Sequence, residues 1–309
     1  MRRRLLLPAA ALAAASLLLS GCSLGRGMPV EVSGEYGGQP EVKFDSDAEP
    51  GDKLKIETLV DGEGAEVRKG DLVVASYVGY RWNGAGAKLV ANSYTAGRPG
   101  AFPSGKLVPG LEKALVGAKV GSRVVALIPP DQGYGDRGDE RHQIGPNDSL
   151  VYVLDVLATY GKDAAAKGAP QPLADARLPQ VADAGAGRAP RVRVPRTAPP
   201  AKLQVRTLIQ GTGPALRGNR LAVLHFTGVL WRTGKEFYST WSEGRPAGEV
   251  IGVGQDIKAF DEGLVGQRIG SRVLLVVPPA WGYGSKGLPH YGIKGDDTLI
   301  YVVDILGAH

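Results

Sequence analysis

The chain has 309 residues, enough for two domains that each bury a core. Hydrophobic residues make up 43% and charged residues 22%, as in soluble globular proteins, while 45 glycines and 22 prolines favour short strands and turns over helical bundles. The net charge is +6, half of it from Arg2, Arg3 and Arg4; the other basic residues are interspersed with acids, so no nucleic-acid partner is expected.

Residues 1–21 read as a signal peptide: a basic start, an apolar run from Leu5 to Leu19, then Ser20-Gly21-Cys22. The run contains Pro8 and is too short for a comfortable membrane span. Leu19-Ser20-Gly21-Cys22 resembles a lipobox, where the Cys22 thiol takes diacylglycerol and the chain is cut before it. The blander alternative is a plain secretory signal with a stray cysteine. A lone free thiol at that position favours lipidation. Each buried CH₂ contributes about 0.8 kcal/mol, so two or three acyl chains would hold the protein to the cell membrane on its extracytoplasmic side. With one cysteine in the chain, no intrachain disulfide is expected.

Beyond the signal, the sequence repeats itself. Gly133-Tyr134-Gly135 returns as Gly282-Tyr283-Gly284, an offset of 149 residues. The same offset relates Pro129-Pro130 to Pro278-Pro279, Gly121-Ser122-Arg123-Val124 to Gly270-Ser271-Arg272-Val273, and Trp82 to Trp231. It slips to 147 and back between Trp82 and Gly110, so one loop differs by two residues between copies. A period this long means domain duplication. The lead-ins match as well, Pro40-Glu41-Val42-Lys43 echoing Pro190-Arg191-Val192-Arg193. The domains are therefore placed at 38–160 and 190–309. The Ala-, Pro- and Gly-rich stretch 161–189 is expected as a linker that cannot bury enough apolar surface to order itself.

Within each copy most apolar runs are strand-like: Leu72 to Gly79, Val124 to Ile128 and Leu150 to Leu157 in the first, Leu221 to Gly228, Val273 to Val277 and Leu299 to Leu306 in the second. The Pro-Pro pairs end strands, because proline has no N–H for a ladder. Only Gly110 to Gly117 and Ala259 to Gly266 read as short helices. The fold class is α+β: two copies of an antiparallel sheet wrapped on one short helix.

Several motifs carry no chemistry in this context. Gly133-x-Gly135-x-x-Gly138 and Gly282-x-Gly284-x-x-Gly287 fit the dinucleotide fingerprint. Each follows Pro-Pro and runs into more turn sequence, however, with neither the strand before nor the helix after that such a loop needs. Four histidines show no metal spacing, and His225 reads as a structural histidine within a strand. No serine is flanked as in a nucleophile elbow. Any chemistry must therefore proceed without nucleophile, metal or cofactor.

His225-Phe226-Thr227-Gly228, Gly234-Lys235-Glu236-Phe237, the run Ile257 to Gly263, Gly266-Gln267-Arg268-Ile269-Gly270-Ser271, Trp281-Gly282-Tyr283-Gly284 and Leu299-Ile300-Tyr301 follow one another in order. In that order and spacing the chain resembles the FKBP-type peptidyl-prolyl isomerases over about 202–307, and more loosely over 53–158. The resemblance implies a curved sheet on a short helix with a shallow aromatic pocket for a proline ring. In the second copy it implies Phe226, Phe237 and Tyr301 as walls and Phe260 as floor, where the family commonly has tryptophan. Ile257 would offer a backbone N–H and Tyr283 a hydroxyl. The matching residues of the first copy are Tyr77, Val90, Val108, Leu111, Tyr134 and Tyr152, with the aromatic floor replaced by Leu111 and one wall by Val90. The family's aspartate after the Phe237 and Val90 positions is replaced by Tyr238 and Ala91, and Phe226 stands where a tyrosine is usual.

Plain core packing would explain an isolated aromatic; six positions at family spacing favour a pocket in the second copy. The expected function is prolyl cis-trans isomerisation of exported polypeptides at the membrane, with the second domain a better candidate for activity than the first and the activity of the first left open. The alternative is a catalytically weak chaperone or proline-peptide-binding lipoprotein; a third reading, a structural spacer, leaves the aromatics unexplained. The partners implied are proline-containing exported chains and, through Cys22, the membrane. The sequence leaves open whether macrolides of the family's inhibitor class bind.

Overall fold

The apolar runs Arg123–Ile128 and Arg272–Val277 show no polar alternation, and all six residues of each are buried. A computed structural model, describing residues 28–185 and 187–309, supplies the reason: each run is a central strand covered on both faces. The signal segment and Cys22 lie outside the described residues.

The first domain contains β1 (Val30–Ser33), β2 (Glu41–Phe44), β3 (Lys55–Val60), β4 (Leu72–Asn83), β5 (Gly86–Asn92), β6 (Gly100–Pro103), α1 (Pro109–Leu115), β7 (Arg123–Ile128) and β8 (Ser149–Tyr160). The second follows with β9 (Gly168–Pro170), β10 (Gln180–Ala182), β11 (Arg191–Arg193), β12 (Gln204–Gly211), β13 (Arg220–Leu230), β14 (Glu236–Ser239), β15 (Ala247–Ile251), α2 (Lys258–Leu264), β16 (Arg272–Val277) and β17 (Leu299–Ala308). The first sheet runs β3-β7-β8-β4-β5, with β6 also on β4. The second runs β9-β12-β16-β17-β13-β14, with β15 on β13. All pairings are antiparallel. In both domains the last strand lies inside the sheet, which ties the chain's end to its middle. The α+β reading and the duplication hold.

One face of β7, Val124, Ala126 and Ile128, packs on Leu111, Ala114 and Leu115 of α1. The other, Val125 and Leu127, meets Val30, Val32, Val42 and Phe44 of the β1–β2 hairpin. The second domain repeats this: Val273, Leu275 and Val277 join Phe260 and Leu264 of α2, while Leu274 and Val276 join Leu178, Val181 and Val192 around the β10–β11 hairpin. Alternate side chains leave opposite faces of a strand, so two coverings demand a continuous apolar run.

The arginine that opens each strand lies on the hairpin side. Arg123 donates from Nε and Nη2 to the Asp155 carboxylate at 2.6 and 2.8 Å. Its Nη1 and Nη2 also reach the carbonyls of Gly34 and Gly38 in the hairpin turn. Arg272 makes the same two-point bond to Asp304, at 2.6 and 2.8 Å. These are charge-assisted, two-point bonds in a dry interior, which fix geometry strongly.

Two expectations are corrected. The stretch 161–189 is not an unordered linker: β9 pairs with β12, the Ala166 N–H donates to Asp304 at 2.9 Å, and Leu178 is buried. Its composition offers few side chains to bury, but the open edge of β12 offers backbone partners, which any residue type supplies. Gly168 permits the approach, since a Cβ there would lie 2.0 Å from the Gln210 carbonyl oxygen. Second, boundaries at 38 and 190 fall between the strands of the two hairpins. The folded units therefore take in β1 and β10 as well.

The two domains meet through repeat-equivalent residues. Leu72 and Val74 pack with Leu221 and Val223 in one apolar cluster. The Tyr160 hydroxyl lies 2.9 Å from His309 Nε2, residue 160 facing its own equivalent 149 positions on. The contact is isologous in character, as in a twofold dimer.

Candidate functional site

Five side chains from separate elements of the second domain converge above α2. Phe226 comes from β13 and Tyr301 from β17, whose register places Tyr301 opposite Gly228. Phe237 sits in the bulge where β14 slips against Gly228–Val229. Its ring lies over Gly228, where a Cβ would stand 2.4 Å from Phe237 Cζ. Phe260, 2% exposed, forms the floor. Tyr283 stands in the turn that follows Pro278-Pro279, with φ −93° and ψ 8°.

Together they line a cavity of about 290 Å³. Phe260 meets Tyr301 edge to face at 5.0 Å and Phe226 at 5.5 Å, and Phe237 meets Tyr301 at 5.7 Å. Near-perpendicular rings brace one another and give the cavity aromatic walls. Burial raises the Tyr283 hydroxyl above its ordinary pKa, and burial with the nearby Tyr283 raises Tyr301 well above it. Both phenols stay protonated as hydrogen-bond donors.

Five further lining residues, Tyr238, Glu249, Gln255, Asp256 and Tyr291, escaped the sequence reading as pocket members. Tyr238 and Tyr291 extend the wall, their rings perpendicular at 5.9 Å. Glu249, beside Tyr238, and Asp256 add carboxyl groups to the lining. Burial, with Asp256 nearby, pushes the Glu249 carboxyl up to about 7, and burial raises Asp256. Their signal lay in the repeat, since both positions are apolar in the first copy. The sixth expected residue, Ile257, precedes α2 beside the cavity, but its N–H is not free for a ligand: it donates to Asp256 Oδ1 at 2.6 Å. The short Asp256 side chain turns forward and accepts from the N–H of the next residue.

In the first domain Tyr77, Val108, Leu111, Tyr134 and Tyr152 share one core. Val90 does not join them; it lies in the β5 bulge opposite Gly79–Tyr80. Tyr77 and Tyr152 stack at 6.2 Å, and Phe102 packs edge-on against Tyr77 at 5.1 Å. Phe102 therefore adds a ring where the second domain has an acid.

Both glycine loops form short 3₁₀ turns after Pro-Pro. His225 is buried, with Nδ1 2.6 Å from the Thr240 hydroxyl, Nε2 3.2 Å from the Lys162 carbonyl, and its ring stacked on Trp241 at 4.5 Å. Burial lowers its pKa to about 4, so it is neutral. Among the described residues no group of three or more His, Cys, Asp or Glu is placed to hold a metal ion.

Comparison with known proteins adds to this geometry. The family model for FKBP-type peptidyl-prolyl cis-trans isomerases matches residues 63–157 and 213–306, more than half of the chain. An FK506-binding protein of Streptomyces anulatus is 34% identical over 119 residues, covering 38% of this chain and 96% of the relative. The mouse peptidyl-prolyl cis-trans isomerase FKBP9 is 29% identical over 206 residues, covering 66% of this chain and 29% of the relative. Among solved structures, FkpA from Escherichia coli aligns at 32% identity and a TM-score of 0.32, over 34% of this chain and 47% of that one.

Proposed function

Because the chain belongs to the FKBP-type peptidyl-prolyl cis-trans isomerase family, we propose that its second domain isomerises X–Pro bonds. The substrates would be exported polypeptides, met at the extracytoplasmic face of the membrane where lipid on Cys22 holds the protein. The observation that carries the enzymatic reading is the convergence of Phe226, Phe237, Phe260, Tyr283 and Tyr301 on one cavity of about 290 Å³.

The chemistry needs no covalent step. Rotation about the imide bond costs about 20 kcal/mol because the planar amide loses its conjugation. In the planar form, resonance places negative charge on the carbonyl oxygen, and water stabilises that charge. An aromatic cavity removes the water and so raises the planar form relative to the twisted one. The proline ring packs on Phe260 between the Phe226, Phe237 and Tyr301 walls. The Tyr283 hydroxyl, protonated and half-buried, holds the substrate carbonyl in one orientation as the bond turns.

Binding without efficient turnover is a second reading, favoured by two observations: the Ile257 N–H is taken by Asp256, and Tyr238 replaces the family aspartate. For the first domain, the Phe102–Tyr77–Tyr152 packing supports a role in binding or spacing. The Streptomyces relative is named for FK506, and a macrolide of that class would compete for the second domain's cavity.

The deciding assay is protease-coupled isomerisation of proline tetrapeptides by the full chain and by its Phe260→Ala variant. Turnover lost with Phe260→Ala places activity in the second domain. Turnover retained moves it to the first. A full chain that binds proline peptides without accelerating them is a chaperone-like binder.

A further inference from the structure

Two cavities meet on the second domain. The proline pocket is one. The other, also about 290 Å³, lies between the domains, with Leu72, Ala101 and Pro103 from the first and Arg245, Pro246 and Ala247 from the second. Tyr238 and Glu249 line both, so they form the common wall. A polypeptide is an extended object at about 3.3 Å per residue. When its proline is in the pocket, a flanking residue crosses this wall and the next enters the cleft. Leu72, Ala101, Pro103 and Pro246 in the cleft suit the stem of a long side chain, and Glu243 and Arg245 add one charge of each sign to the same lining.

The wall is charged in one copy of the repeat and apolar in the other. Strand register pairs Glu249 with Ala222 on β13, and Phe102 with the equivalent Val73 on β4. Counting back from the helices, Asp256 precedes α2 where Leu107 precedes α1. At both positions the first domain keeps an apolar residue and the second has an acid. Neither acid forms an ion pair among the described residues, and Glu249 also lacks a hydrogen-bond donor there. A half-buried carboxylate without a donor is unfavourable by itself. It becomes favourable when a ligand supplies a cation.

The geometry points to a subsite for lysine or arginine flanking the substrate proline, its cation on Glu249 and its chain continuing into the cleft between the domains. This rests on the proline-pocket reading and adds a substrate class to it. The first domain then contributes to the second domain's specificity by supplying Leu72, Ala101 and Pro103.

The test is fluorescence anisotropy of the full chain with labelled ten-residue peptides at pH 8 and low salt. Each has one central proline, with Lys, Gln or Glu placed just before or just after it. A Lys peptide is expected to bind about tenfold tighter than its Gln counterpart at one flank, and the Glu peptide more weakly. Glu249→Gln should remove most of that difference and Glu249→Asp only part of it; 0.5 M salt should shrink it in the native protein. Cutting the Lys peptide to four residues should weaken it. Equal binding of all three peptides, or a Lys preference that survives Glu249→Gln, overturns the inference and leaves the proline pocket standing. Failure of every peptide to bind overturns the pocket reading, and this one with it.

Discussion

Glu249 occupies on β15 the place that Phe102 occupies on β6, each opposite an equivalent residue of the neighbouring strand. In the first domain the ring packs on Tyr77. In the second the carboxyl faces a cavity, and burial with Asp256 raises it from 4.5 to about 7. A carboxyl raised on folding binds its proton more tightly in the folded state. Its contribution to stability is therefore full below the unfolded value of 4.5 and is lost as pH rises through about 7. Partial exposure reduces the loss to about 2 kcal/mol. Glu249→Gln should match the native protein near pH 4 and be about 2 kcal/mol more stable at pH 8, read by urea unfolding. A difference that does not change with pH would remove Glu249 as a destabilised group.

Phe260, on the floor of the second domain's cavity, and Leu111, in the first domain's core, occupy equivalent positions of α2 and α1, both buried. Phe260→Leu thus gives α2 the residue that α1 carries at the equivalent position, so the stability cost should stay near 1–2 kcal/mol. If an aromatic floor is what favours the twisted imide, kcat/KM on a proline tetrapeptide should fall at least tenfold. If the Tyr283 hydroxyl acts on the twisted form as proposed, Tyr283→Phe should lower kcat more than it raises KM. Unchanged kinetics in both variants would leave these side chains as core packing.

The offset of 149 made the duplication legible, and runs such as Val124 to Ile128 showed the strands that frame the site. The five aromatics were legible only through the resemblance to the FKBP-type isomerases; by themselves they read as core packing. What stayed hidden depends on pairing rather than side-chain type. The β9 strand has no apolar signature, since its Ala and Gly join β12 through backbone alone. Glu249 enters the pocket only through the β13–β15 register, and the Ile257 N–H is lost to a bond within one residue of it. Tyr291 reaches the wall from a turn whose path no periodicity describes.

His225 is neutral and buried against Trp241, its pKa lowered by burial to about 4 from 6.5. The unfolded chain therefore takes a proton at higher pH than the folded one. Stability from this group is full above 6.5 and is lost as pH falls towards about 4, by about 3 kcal/mol in total. His225→Gln should be less stable than the native protein at pH 7.5, because Thr240 and Lys162 lose well-placed partners. The gap should narrow towards pH 4. Urea midpoints at pH 7.5, 5.5 and 4.5 give the slope, and parallel slopes for both proteins would count against a titrating His225.

Arg272 and Asp304 form a pair that is almost wholly buried, and Asp304 also accepts the Ala166 N–H that begins the strap along β12. Removing one partner leaves a charge without solvent or counterion, which costs about 3–5 kcal/mol. Arg272→Met should therefore destabilise the second domain by that amount. The double variant Arg272→Met, Asp304→Leu removes both charges and should be markedly less damaging than the single one. It still deletes the acceptor of Ala166, so amide exchange should rise around 166–171 in the double variant while the β16–β17 amides stay protected. A double variant as unstable as Arg272→Met would mean that the arginine matters through its link to Asp183 on the hairpin side, at 3.3 Å, more than through Asp304.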